Sequence, residues 1–262
     1  MLTINTNGIG THYADQGPKD GKAVVFANSL GTDLRLWDAL LPLLPDSLRL
    51  VRYDKRGHGL SEETPSPYSI DQLADDAAGL IEGLGLKDVV FVGLSIGGLI
   101  GQAIALRRPD LLKALVISNS AAKIGTDQMW NDRVAAIREG GVKIIAAPTM
   151  ERWFSPAFRS TPQVGLWERM LARQPQDGYI GCCQAIAGAD LRREVEKLTL
   201  PVQMIAGSLD GSTPPELVRA SGKLIPGARY AEIDGAGHLP CVEAPQKYAE
   251  ILNAFLKEVG HV

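Results

Sequence analysis

The chain has 262 residues, 45% of them hydrophobic and 22% charged, with a formal net charge of −3. That length and balance suit one packed domain carrying an insertion and exclude a broadly basic surface for nucleic acid; no apolar run reaches the ~18 residues of a membrane span, so no membrane partner is expected either. Cys182, Cys183 and Cys241 are too few, and odd in number, for a disulfide framework, and Met1-Leu2-Thr3-Ile4-Asn5 alternates like a strand instead of a leader peptide, which together point to the cytoplasm.

In chain order, Leu2–Asn5 and Gly10–Gln16 read as a β pair and Lys22–Ala27 as a buried strand. The loop after it, Asn28-Ser29-Leu30-Gly31-Thr32, is placed to turn a backbone N–H toward a substrate carbonyl; Leu30 is the expected donor, with Gly31 giving the loop room to bend. From Asp33 to Leu44, Leu34, Trp37, Leu40, Leu41 and Leu44 share one helical face. Leu48–Tyr53 is a strand leading into Asp54-Lys55-Arg56-Gly57-His58-Gly59, whose His and Asp could pass for catalytic groups. The reading preferred is structural, with Asp54 and Arg56 fixing a glycine-rich turn near the pocket. Ser69 is the N-cap of a helix running to Leu84, with Gln72 at capping-box distance.

The apolar run Lys87–Val92 enters Gly93-Leu94-Ser95-Ile96-Gly97-Gly98, and the residues to Arg107 are helix-compatible. Gly-x-Ser-x-Gly alone can be no more than a glycine-rich turn. Between a strand and a helix it forces the central Ser into a sharp, strained turn with its hydroxyl exposed, where side chains two before or two after would collide. Ser95 is therefore the candidate nucleophile, and the Ile96 N–H at the start of the helix is the second oxyanion donor. Leu112–Ser118 is the next strand.

The alternation then lapses. Residues 121–193 hold Trp130, Trp153 and Trp167, helical patterns, and breaks at Pro148, Pro156, Pro162 and Pro175. This stretch reads as a helical cap over the site, and its surplus of Lys and Arg over Asp and Glu would suit an anionic substrate, though solvated helix faces account for such charges equally.

Val202–Gly207 is a buried strand, and Asp210 falls just past its C-terminal end, where open α/β sheets place their chemistry. Asp210 could instead cap the helix beginning near Pro215; Asp234 is the rival acid, but it lies on the same loop as the candidate base. Of four histidines, His12 lies in the second strand, His58 in the turn loop and His261 in an expected frayed tail. His238, in Gly235-Ala236-Gly237-His238-Leu239-Pro240 after the strand Ala228–Ile233, is left as the base. A last helix runs from about Ala244 to Glu258.

The order Ser, Asp, His is that of the α/β-hydrolase triad. The fold expected is thus α/β, an α/β-hydrolase with a mostly parallel eight-stranded sheet flanked by helices. Its core comprises 1–120 and 194–262, and 121–193 is the inserted cap. Further strings resemble one family within it: Asn28–Asp33, Arg52–Gly59, Ser118-Asn119-Ser120-Ala121-Ala122-Lys123-Ile124-Gly125-Thr126, Arg152-Trp153-Phe154 and Gly178–Ile186 are together similar to the 3-oxoadipate enol-lactonases of aromatic-compound breakdown. Where the commoner family pattern has Ala-Ile-Arg-Asp, this chain reads Ala185-Ile186-Ala187-Gly188-Ala189-Asp190, so no role is carried to that position. The resemblance implies a serine hydrolase opening a small anionic lactone through an acyl-enzyme, with no metal or organic cofactor. A cationic cap side chain should meet the substrate carboxylate. Arg133 is the candidate, with an exposed helix Arg as the alternative; Trp130 and Trp153 would line the apolar wall, or pack the cap. Carboxylesterases, C–C hydrolases and acyl-carrier ester or thioester hydrolases use the same scaffold, and a non-catalytic ligand-binding relative would keep the fold without turnover.

Overall fold

Strands in the middle of a parallel sheet are covered on both faces, so they read as unbroken apolar runs. The computed structural model, which describes residues 1–262, puts each such run at the centre of one sheet. The elements are β1 (Leu2–Thr6), β2 (Ile9–Gln16), β3 (Ala23–Ala27), β4 (Arg49–Tyr53), α1 (Ile70–Gly83), β5 (Val89–Leu94), α2 (Ile96–Arg107) and β6 (Leu112–Ser118). Five helices follow, α3 (Asp127–Gly140), α4 (Ala146–Trp153), α5 (Pro156–Arg159), α6 (Val164–Ala172) and α7 (Gln176–Ala187). The chain then returns to the sheet with β7 (Val202–Gly207), α8 (Pro215–Gly222), β8 (Arg229–Ile233), α9 (Pro240–Glu243) and α10 (Pro245–Glu258). Every residue of β3, β5 and β7 is buried.

The strand order is β1-β2-β4-β3-β5-β6-β7-β8. Only the β1–β2 and β2–β4 pairings are antiparallel, which gives the expected eight-stranded, mostly parallel α/β-hydrolase sheet. Because β3 and β5 are parallel neighbours, with Ala27 opposite Gly93, the loops leaving their C-terminal ends emerge side by side. Those after β6, β7 and β8 open on the same edge. This register is what gathers the site.

Two segments depart from the sequence expectation. Residues 33–44 do not form one helix but two 3-10 turns, Leu34–Trp37 and Leu41–Leu43. Pro42 has no N–H to give and its ring would meet the carbonyl four residues back. The apolar face survives nonetheless, with Leu36, Trp37 and Leu40 fully buried. His261 is not in a frayed tail. Gly260 turns the chain with φ 63°, the His261 N–H donates to Leu256 O at 2.8 Å, and its Nε2 lies 3.0 Å from Ala23 O. Ser69 caps α1 as its sequence foretells, accepting from the Gln72 N–H.

Candidate active site

Ser95 sits between β5 and α2 at φ 57°, ψ −118°. A Cβ on Gly93 would run into the Gly97 carbonyl, and one on Gly97 into the Ala27 carbonyl, so the spacing in the motif is a steric requirement of the turn. The strained backbone is pinned on both sides. Ser95 N–H donates to Ser118 O at 2.9 Å, and Ser120 Oγ donates to Ser95 O at 2.6 Å.

Asp210 follows β7 and meets His238 across the sheet edge. His238 Nδ1 lies 2.8 Å from Asp210 Oδ2, and both residues are buried. The carboxylate collects four further donors: the N–H groups of Ser212 and Thr213 on Oδ1, and Thr213 Oγ1 and Asn119 Nδ2 on Oδ2. Burial pushes the Asp210 carboxyl up, but His238, Thr213 and Asn119 outweigh it and hold it below the ordinary carboxylate value. An ionised acceptor on that side assigns the Nδ1 proton of His238 and leaves Nε2 to face the cavity as acceptor. The hydrogen-bond neighbour of Nε2 is Ser29 Oγ at 3.4 Å, not Ser95; contacts between hydroxyl and imidazole commonly tighten only when a substrate is bound. Asp234 is elsewhere, an exposed acceptor for Ser208 Oγ.

The two expected oxyanion donors flank Ser95. Ile96 is the first residue of α2, where an N–H has no partner in its own helix and lies at the positive end of the dipole. Leu30 lies on the β3 loop and lines the same cavity as Ser95 and His238. The turn after β4 supports this loop. Asp54 accepts from the Leu34 N–H at 2.7 Å and the Leu60 N–H at 2.9 Å, and Arg56 is paired with Asp76 of α1 through Nε and Nη2.

The cavity holds ≈ 100 Å³. Its walls bring together all three side chains proposed from the sequence, Trp130, Arg133 and Trp153, and add Arg152 and Tyr179. Arg133 stacks over the Trp130 ring at 5.1 Å, while the Trp130 indole N–H donates to Ile124 O at 2.7 Å. Neither Arg133 nor Arg152 is paired with a carboxylate. Burial, and after it the charge of Arg133, work against the Arg152 cation. A larger open groove of ≈ 730 Å³ runs past Leu60, Leu166 and Trp167, but neither Ser95 nor His238 lines it.

The backbone of α4 is tied to the loops that bear Asp210 and His238. Arg152 O accepts from the Gly211 N–H at 3.1 Å, and Trp153 O from the His238 N–H at 2.7 Å. Glu243 adds a second tie, accepting from the Gly237 N–H at 2.8 Å and from the N–H and Oγ of Ser155. Sequence reasoning missed Arg152, Asn119, Thr213 and Glu243. Arg152 and Asn119 stand inside strings that carry the family likeness, with no local pattern that marks their chemistry.

A family model described as the alpha/beta hydrolase family matches residues 24–251. Among curated proteins, 3-oxoadipate enol-lactonase 2 of Acinetobacter baylyi is 35% identical over 97% of this chain and 96% of its own length. 3-Oxoadipate enol-lactonase 1 of the same organism is 33% identical over 99% and 97%. The crystal structure of the enol-lactonase from Burkholderia xenovorans LB400 superposes with a TM-score of 0.94 at 33% identity, covering 98% of this chain and all of that one. With this likeness spanning both the sheet and the helices between β6 and β7, the chain belongs to the alpha/beta hydrolase family and is a carboxylic ester hydrolase that groups with the 3-oxoadipate enol-lactonases.

Proposed function

We propose that Ser95, His238 and Asp210 form an acyl-transfer triad that opens the ring of 3-oxoadipate enol-lactone to 3-oxoadipate, in the cytoplasmic breakdown of aromatic compounds. Residues 121–193 act in this reading as the cap that shapes the pocket on a core of 1–120 and 194–262. The observation that carries it is the cavity itself: a strained Ser and an acid-supported His share its lining with two guanidiniums that lack carboxylate partners. A small ester bearing a carboxylate supplies both the electrophile and the missing anion.

In this mechanism Ser95 Oγ attacks the lactone carbonyl while its proton passes to His238 Nε2. The Leu30 and Ile96 N–H groups stabilise the tetrahedral oxyanion, and Asp210 stabilises the imidazolium. Collapse breaks the ring C–O bond. The departing enolate oxygen, protonated by His238, is an enol that tautomerises to the ketone. Water then attacks the acyl-enzyme and gives one proton to His238, which passes it to Ser95 Oγ as the ester bond breaks, and the released acid gives its own proton to solvent to become the carboxylate. Arg133 and Arg152 hold the distal carboxylate, with Trp130 and Trp153 along the apolar side.

The test is loss of enol-lactone absorbance with the wild type beside Ser95→Ala. Turnover by wild type and a fall of roughly 10³-fold or more in the variant is expected, as for loss of a triad member. Wild type that ignores the lactone yet hydrolyses p-nitrophenyl acetate through Ser95 would leave an ester hydrolase of different substrate.

A further inference from the structure

The loop bearing Leu30 is gripped from below by two side chains of the turn after β4. Lys55 Nζ donates to Ser29 O at 2.7 Å and to Thr32 O at 3.4 Å, and the Gly31 N–H donates to His58 Nε2 at 3.0 Å. The residues on either side of Leu30 are thus held, while Leu30 itself faces the cavity. Both gripping side chains are inaccessible, Lys55 being 2% and His58 0% exposed. Since Nε2 of His58 accepts, the ring proton of the neutral imidazole is on Nδ1, facing Arg56 O at 3.4 Å and Cys182 Sγ of α7 at 3.9 Å. Lys55 has no carboxylate in contact. The charged or titratable groups that act on it are Cys182 on α7, Asp54 on its own turn and Asp33 at the end of the oxyanion loop, together with the neighbouring His58. A buried ammonium with no contacting counter-ion is costly, and here it lies against one of the two segments whose backbone N–H groups are assigned to the oxyanion.

We propose that Lys55 and His58 are positioning residues for the oxyanion loop, and that the Lys55 ammonium, by placing a positive charge behind the Leu30 N–H, strengthens that donor toward the developing oxyanion. This rests on the roles given above to Ser95, Leu30 and Ile96. Burial lowers Lys55 to about 8, with Cys182, Asp54 and Asp33 only partly restoring it, so its charge is lost just above neutrality. His58 is held well below its usual value by burial and by Lys55; a proton on its Nε2 would set donor against donor at the Gly31 N–H. The device therefore has one working state, Lys55 charged and His58 neutral.

The experiment uses p-nitrophenyl acetate, a probe independent of lactone identity, with Ser95→Ala as the blank and thermal melts at each pH. In wild type, kcat should fall roughly fivefold between about pH 8 and about pH 9 as Lys55 loses its proton, while the melting temperature does not fall over that range. Lys55→Met should lower kcat about 10²-fold, leave KM within about threefold and abolish the alkaline limb. His58→Gln, which can present an amide oxygen to the Gly31 N–H, should retain more activity than His58→Leu. Should Lys55→Met not fold, the wild-type profile and the His58 pair still decide. A flat wild-type kcat over that range, or Lys55→Met within about twofold of wild type with its limb intact, overturns the proposal alone. Absence of any Ser95-dependent turnover overturns both this proposal and the triad reading. An ester hydrolase that shows the Lys55 limb but ignores the lactone keeps the proposal and loses the substrate.

Discussion

Arg152 and Arg133 line one cavity and neither pairs with a carboxylate of the protein, so each is expected to act on binding of a carboxylate-bearing substrate more than on the chemical step. Replacing either by Met should raise KM for the enol-lactone about tenfold to about a hundredfold, the worth of a charge-assisted hydrogen bond, with little change in kcat. Neutral p-nitrophenyl acetate should scarcely notice; a KM for the lactone unchanged in both variants would remove the arginines from recognition. At this scale the sequence was most informative where chemistry imposes a rigid local pattern. The Ser95 turn needs its glycines, and a carboxylate just past β7 has few other places to go. It was least informative where the partner is distant in the chain. Asn119 reaches Asp210 across 91 positions, and no local pattern announces such a contact.

Helix α4 and the loops after β7 and β8 behave as one element despite their separation in sequence. Glu243 joins the loop after β8 to Ser155 just beyond α4, and burial keeps its carboxyl above the usual range in spite of donors from Ser155 and Gly237. Glu243→Ala would strand the Gly237 and Ser155 N–H groups in a half-buried setting, at about 1–3 kcal/mol per unsatisfied group. Chemical denaturation should therefore report a loss of roughly 2 kcal/mol, together with a lower kcat as the His238 loop loosens; an unchanged midpoint would make the tie dispensable. Elements were legible in the sequence wherever a period ran uninterrupted, as in β3, β5, β7 and α1. Residues 33–44 show how that reading fails: the apolar positions repeat as in a helix and are buried accordingly, but Pro42 breaks the backbone into two turns. The helices between β6 and β7 could be expected as helices, yet their packing over the cavity depends on contacts that periodicity does not encode.

For the molecule as a whole, buried bases set the dependence of stability on pH. His58 and His261 are held below 6.5 in the folded state, by burial first, and Lys55 sits at about 8 against 10.5. In each case the unfolded chain binds its proton at higher pH, so stability rises with pH across the gap and falls on acidification. Asp210, held low, adds the same sign below 3.8. Glu243, held high, opposes it above 4.5, and the three buried thiols, pushed up from 9.0 by burial, reverse the trend beyond that point. The melting temperature should thus climb from about pH 5 to about pH 6.5 and hold nearly level from about pH 8 to about pH 9, where Lys55 offsets the thiols, whereas in Lys55→Met it should fall over that second range; the same decline in wild type and Lys55→Met would contradict the burial of Lys55. His261 belongs to this scale too, because its docking against Ala23 joins the end of the chain to the start of β3 and could not be foreseen from a tail that looks polar and short. Arg152 and Trp153 carry a different kind of consequence. Their side chains line the cavity of Ser95 and His238 while their carbonyls accept from the loops that bear Asp210 and His238, so on the proposed function a lineage that alters selectivity through α4 would perturb its own triad. The α3 position of Arg133 carries no such backbone tie, and divergence in what these enzymes accept has its freer path there.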